Sequence, residues 1–76
     1  MPTLLNENGF KFFFYANEHM PRHIHVVHAK GHAKIGLGTL HVVRSNMPSA
    51  DLKRAMLIVR AHNDTFERKW DEFFNR

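Results

Sequence analysis

Residues 18–28, Glu-His-Met-Pro-Arg-His-Ile-His-Val-Val-His, hold four of the chain's seven histidines: His19, His23, His25 and His28. Imidazole titrates near neutrality, so such a cluster can move protons, ligate a metal or bond to its own backbone. His23 and His25 stand two apart, a spacing that in an extended strand puts both rings on one side, about 6.5–7 Å from each other. One chemistry open to that pair is acid–base work: one ring takes a proton while the other gives one. Cleavage of RNA by its own 2′-hydroxyl needs such a pair and a cation for the phosphate. His23 and His25 are then candidate acid and base, with Arg22 and Lys34 holding phosphate, and no metal or other cofactor is required. In a second chemistry the two imidazoles share a transition-metal ion. His19 in the turn, or His32 or His41 by strand pairing, would be the third ligand, and His19, His23 and His25 form the alternative metal set. No acidic or thiolate residue is obviously placed to close that site. The third reading is structural, with histidines bonding at a turn and packing. It is the reading given to His28 and, as a cap, to His62.

The elements that must carry these residues follow from hydrophobic period. In Gly-Phe-Lys-Phe-Phe-Phe-Tyr, residues 9–15, Phe10, Phe12 and Phe14 alternate with Lys11, Phe13 and Tyr15, which is strand period with aromatic β-formers. Pro21 forces its predecessor out of the helical region, so Met20-Pro21-Arg22 is a turn. A second strand then carries His23, His25 and Val27 on one face, with Ile24, Val26 and His28 on the other. Lys30-Gly31 is the expected hairpin turn, 32–37 a third strand, Gly38-Thr39 a turn, and 40–44 a fourth short strand. From residue 49 the period changes. Leu52, Met56, Val59, Asn63, Phe66, Trp70 and Phe73 step alternately by four and three, an apolar helix seam interrupted by Asn63. Ser49 is the expected N-cap and Asp51 lies in the first turn. A helix over 49–75 outruns strands of five or six residues. It either overhangs the sheet or breaks near 62–65, where Asp64 and Glu67 could cap a second helix. An overhang would leave Phe66, Trp70, Phe73 and Phe74 to be buried by a second protomer, and a homodimer through this helix is expected.

The fold class is therefore α+β: a three- or four-stranded antiparallel meander followed by a C-terminal helix, in one domain over 1–76. The face under the helix should hold Phe10, Phe12, Phe14, Ile24, Val26, Ala33, Ile35, Leu37, Leu40 and Val42. The reverse face takes Lys11, Phe13, Tyr15, His23, His25, Lys34 and His41, with Val27 and Val43. Aromatic rings interleaved with cations suit stacked bases and phosphates, so Lys11, Phe13, Tyr15, Arg22, Lys34 and His41 are candidate ligand-binding residues. The same face suits a protein partner, or plain solvation.

Composition bounds the setting. A net charge of +4 from 11 Lys+Arg against 7 Asp+Glu raises the odds of a polyanionic partner. The chain has no cysteine, no apolar run long enough to span a bilayer and no secretory pattern in its first ten residues, so a cytoplasmic protein without membrane contact is expected.

The stretch Asn-Glu-His-Met-Pro-Arg-His-Ile-His-Val, 17–26, after the aromatic strand, resembles the bacterial DUF4160 family, a domain of unknown function. The Met-Pro-Thr start, the Ala33-Lys34-Ile35 strand, Met47-Pro48 before the helix and Trp70 look like the same family. Asn46 departs from the glycine found there in the family, and asparagine tolerates the same left-handed backbone. The resemblance implies a small protein encoded beside a second family of unknown function, in pairs that look like toxin–antitoxin modules. The implied partner is a cognate protein from a neighbouring gene; RNA as a further ligand rests on the basic aromatic face described above. Catalytic residues do not carry over. The matching motif puts emphasis on Glu18, His19, Pro21, His23 and His25.

Overall fold

The computed structural model describes residues 3–74; the expected Met1-Pro2 start and helix position 75 lie outside them. The fold is α+β, a five-stranded antiparallel sheet followed by one helix. Strands β1 (Thr3–Glu7), β2 (Phe10–Phe13), β3 (His23–His28), β4 (Gly31–Gly36) and β5 (Val42–Ser45) lie in sequence order across the sheet, and α1 spans Ser49–Phe74. The strand count exceeds the expected three or four because of β1. Its signal was present in Asn8-Gly9, which turns with φ of 52° and 83°, the positive values that an Asn-Gly hairpin turn supplies. A bulge between Thr3 and Leu5 lets the consecutive Leu4 and Leu5 both pack against the core.

The expected turn at Lys30-Gly31 sits one residue earlier, at Ala29-Lys30. Ala29 takes the positive φ of 52° and Gly31 opens β4, paired with His28. Gly31 is needed for space instead, since a Cβ there would come within 2.8 Å of the Met47 side chain. The first intrahelical bond of α1 runs from Leu52 N–H to the Pro48 carbonyl (3.0 Å), so Ser49 is the first helical residue and not the cap. Asn46 is not left-handed: it extends the pairing of β4, its N–H bonding to the His32 carbonyl and its Oδ1 accepting from the His32 N–H.

Helix α1 is continuous through 62–65. At 1.5 Å per residue its 26 residues run about 38 Å, close to the 36 Å long axis of the molecule. It does not overhang, because Phe14, just past β2, extends the core beneath it. Phe12 packs on Phe66, and Phe14 packs on Trp70 and Phe74, with ring centroids 5.2–5.7 Å apart. The burial expected from a second protomer is thus supplied to Phe66 and Trp70 by their own chain; both are 2% exposed. Asn63, the break in the seam, has its own task. Its Oδ1 accepts from the Gly38 N–H (2.8 Å) and its amide donates to Glu67 (3.0 Å), tying the helix to the β4–β5 turn. His62 caps nothing; it stacks on Phe66 and faces Glu7.

Of the apolar set assigned to the helix side, Phe10 through Leu37 is buried as expected. Leu40 is only partly covered and Val42 is 39% exposed. The reason is position: β5 is an edge strand that α1 does not reach across.

Candidate functional site

Strand alternation places His25 on the sheet face away from α1, as expected, whereas His23, at the start of β3, also meets the helix, its ring centroid 4.9 Å from that of Trp70. The register then sets their neighbours. Phe13, His25, Lys34 and Arg44 form one row across four strands; Lys11, Val27 and His32 form the next; His23 stands opposite Gly36. The connection between β2 and β3 folds back over the start of β3 and brings Glu18 down onto both histidines. Glu18 Oε1 lies 2.8 Å from His23 Nε2, and Oε2 lies 2.7 Å from His25 Nε2. The three side chains are 11%, 6% and 5% exposed. The Tyr15 N–H also donates to Glu18 Oε2 (3.2 Å). Glu18, which the matching motif singles out without a role, is the acid of this site. His19 is exposed beside it and is not part of the group.

The outer ring nitrogens are engaged as well. His23 Nδ1 donates to the Pro21 carbonyl (2.9 Å), and His25 Nδ1 bonds to His32 Nε2 (3.2 Å). A carbonyl only accepts, so His23 Nδ1 carries a proton. Burial pushes the Glu18 carboxyl up, but the bonds from His23 and the Tyr15 amide and the His23 charge outweigh it, leaving it below the usual carboxylate range. Burial pushes the His25 imidazole down, against the opposing pull of Glu18. His32 is also lowered, by burial and then by the Arg44 charge. All four ring nitrogens of the expected acid–base pair therefore have partners within the chain, and a substrate would have to displace Glu18, Pro21 or His32 to reach one.

Beside this cluster runs a cleft of about 390 Å³ lined by His19, Arg22, Lys34, Gly36, His41 and Val43 among others, with Glu18 its sole carboxylate. Gly36 is there because the His41 ring lies over it; a Cβ would come within 2.4 Å of that ring. Arg44 was assigned to neither face, and a bulge explains why. Lys34 pairs with Arg44 but Ile35 with Val42, so Val43 is the extra residue and Arg44 comes level with Lys34.

The sequence profile of one protein family spans residues 9–71, from the Gly9 turn past every residue of the cluster. The chain belongs to that family, Domain of unknown function (DUF4160). Comparison with curated proteins and with solved structures gave no match. Within this DUF4160 domain the matched span includes Arg22 and its partner Asp71, which hold each other by two bonds of 2.9 and 3.1 Å. Arg22, expected as a phosphate cation, is thus already committed to α1. Phe13 does not present a ring, being 3% exposed beneath Tyr15 and His25. Tyr15, at 47%, does. Lys11, Lys34 and His41 lie on the reverse face as expected. His28 is on the helix side, stacked on Phe10 with its Nδ1 bonded to the Gly9 carbonyl, a structural role.

Proposed function

We propose that this protein is the small basic member of a two-gene, toxin–antitoxin-like module and that its open sheet face binds single-stranded RNA through the phosphates. The observation that carries the reading is the pair Lys34 and Arg44. They are directly opposed on neighbouring strands, where like charges cost stability unless an anion joins them. His41 stands in the cleft next to Lys34, and the one carboxylate there is already bonded to two imidazoles. Tyr15, at the margin of this face, offers a ring on which a base can stack. In this reading His23, His25 and Glu18 shape the cleft and hold the 14–22 connection in place, and the cations bind.

The cognate protein from the neighbouring gene docks elsewhere, by strand addition on β5. That strand is at the sheet edge, and Val42 and Val43 there are exposed. No helix among the described residues is long and apolar enough to cross a membrane, and RNA as a ligand fits the cytoplasmic setting expected from the sequence.

Fluorescence anisotropy with a labelled single-stranded RNA tests the reading. Binding by the wild type should weaken more than about tenfold in a Lys34→Glu, Arg44→Glu double variant, as expected for lost phosphate contacts. Lys53→Glu, on α1, should leave it unchanged. Equal loss in both variants would reduce the effect to net charge and overturn the assignment. The RNA should be recovered intact; shortened products ending in a cyclic phosphate would restore the acid–base role of His23 and His25.

A further inference from the structure

We infer that Glu18, His23 and His25 form a binding site for one divalent transition-metal ion of the zinc type, with a coordination position open toward the cleft. One ligand atom from each of Glu18, His23 and His25 lies within 4.8 Å of the other two, and both Nε2 atoms face the Glu18 carboxylate. The remaining nitrogen of each ring is fixed by an outer partner, His23 Nδ1 by the Pro21 carbonyl and His25 Nδ1 by His32. Such partners orient metal-ligating histidines and set the tautomer whose Nε2 lone pair faces the ion. With His23 Nδ1–H donating to Pro21 and His25 Nδ1–H donating to His32, both Nε2 atoms become ligands at once. The ion replaces the protons that join Glu18 to the two rings.

The distances permit the exchange. Ligands about 2.0–2.1 Å from a tetrahedral ion stand about 3.3–3.4 Å from each other, against 2.7 and 2.8 Å between Glu18 and the two rings. Glu18 meets the two rings through different oxygens, so the carboxylate must turn as well as shift to share one ion with them, and Glu18 sits on a connection, not on the sheet. Two imidazoles and one carboxylate suit zinc, cobalt or nickel; magnesium and calcium call for oxygen ligands. Three protein ligands leave a fourth position of a tetrahedral ion unfilled, which is the pattern of a reactive site and not of a closed structural one. The inference stands apart from RNA binding, since Lys34 and Arg44 are not ligands and either property can fail alone.

The test uses the full chain without a histidine tag, stripped by a chelator. Zinc titrated calorimetrically should bind at one ion per chain. Glu18→Gln, which keeps a hydrogen-bonding side chain over both rings and should melt cooperatively, should weaken zinc by at least about 100-fold. His32→Ala, which removes an outer partner, should weaken it by about 10–100-fold. His19→Ala should change nothing. Trp70 is the chain's sole tryptophan and its ring centroid lies 4.9 Å from that of His23. Copper(II) at the site should therefore quench its emission at one equivalent in the wild type and not in Glu18→Gln. Zinc binding undiminished in Glu18→Gln, loss in His19→Ala instead, or Trp70 emission untouched at one equivalent would each show only adventitious binding by surface histidines and overturn the inference.

Discussion

Glu18 Oε2 lies 2.7 Å from His25 Nε2, although Glu18 belongs to a connection and His25 to a central strand. The same carboxylate reaches His23 through its other oxygen. A single acidic side chain thus closes the start of β3, and its removal would leave two buried rings without their inner partner. Leaving a buried donor unsatisfied costs about 1–3 kcal/mol. Glu18→Ala should lower stability by about 2–3 kcal/mol, read in thermal unfolding as a midpoint lower by roughly 10–20 °C in a domain of this size. A midpoint within a degree or two of the wild type would mean that Glu18 does not hold the connection.

The same cluster sets an acid limit in chelator-treated protein. His25 faces Glu18, His23 and His32, and His32 feels Arg44; both His25 and His32 are lowered from the ordinary imidazole value of 6.5. A lowered histidine binds fewer protons folded than unfolded, so stability rises with pH through that window and is lost as pH falls below about 6.5. Glu18, lowered from 4.5, adds a further loss below that value. Urea midpoints measured from pH 8 to pH 4 should therefore fall monotonically with acid. In His25→Gln the decline between pH 6.5 and 5 should be shallower.

Gly36 offers a local probe of the cleft. An alanine there meets the His41 ring, an exposed side chain that can swing aside, and φ at Gly36 is not in the left-handed region. Gly36→Ala should fold, with a midpoint within a few degrees of the wild type, while the NMR signals of His41 shift and RNA binding weakens. Unchanged His41 signals would show that its ring does not occupy the space above Gly36.

Trp70 belongs to the core of one chain. Its removal should cost about 3–5 kcal/mol as Trp70→Ala. Trp70→Phe, which keeps an aromatic ring against Phe14 and Phe74, should cost less and leave the solution mass measured by light scattering unchanged. A lower mass for Trp70→Phe would point to the helix-mediated homodimer expected from the heptad spacing.

Much of this arrangement was legible in residue order, because strand and helix periods are local. Alternation put His23 and His25 together and away from Ile24 and Val26, and the steps from Leu52 to Phe73 gave Val59, Phe66 and Trp70 of the buried stripe of α1 but not Ala55 and Ile58. What was not legible depended on chain reversals and register. Glu18 joins the histidines only because the 14–22 connection folds back, and nothing in its spacing announces that. Arg44 reaches Lys34 through a bulge at Val43, a one-residue shift that simple alternation cannot supply. The missed β1 is different, since Asn8-Gly9 between apolar residues was a sufficient turn signal. Asn63 read as a flaw in a helix seam because its partner, Gly38, is 25 residues away.

The most direct measurement of the central claim is the salt dependence of RNA affinity. Each phosphate contact to a single strand contributes about 0.7 to the slope of log affinity against log salt. In a Lys34→Gln, Arg44→Gln double variant the slope should be smaller in magnitude by about 1.4, with the fold intact by circular dichroism. A slope equal to that of the wild type would show that these two cations do not meet phosphate, and would contradict the assignment of this sheet face to RNA.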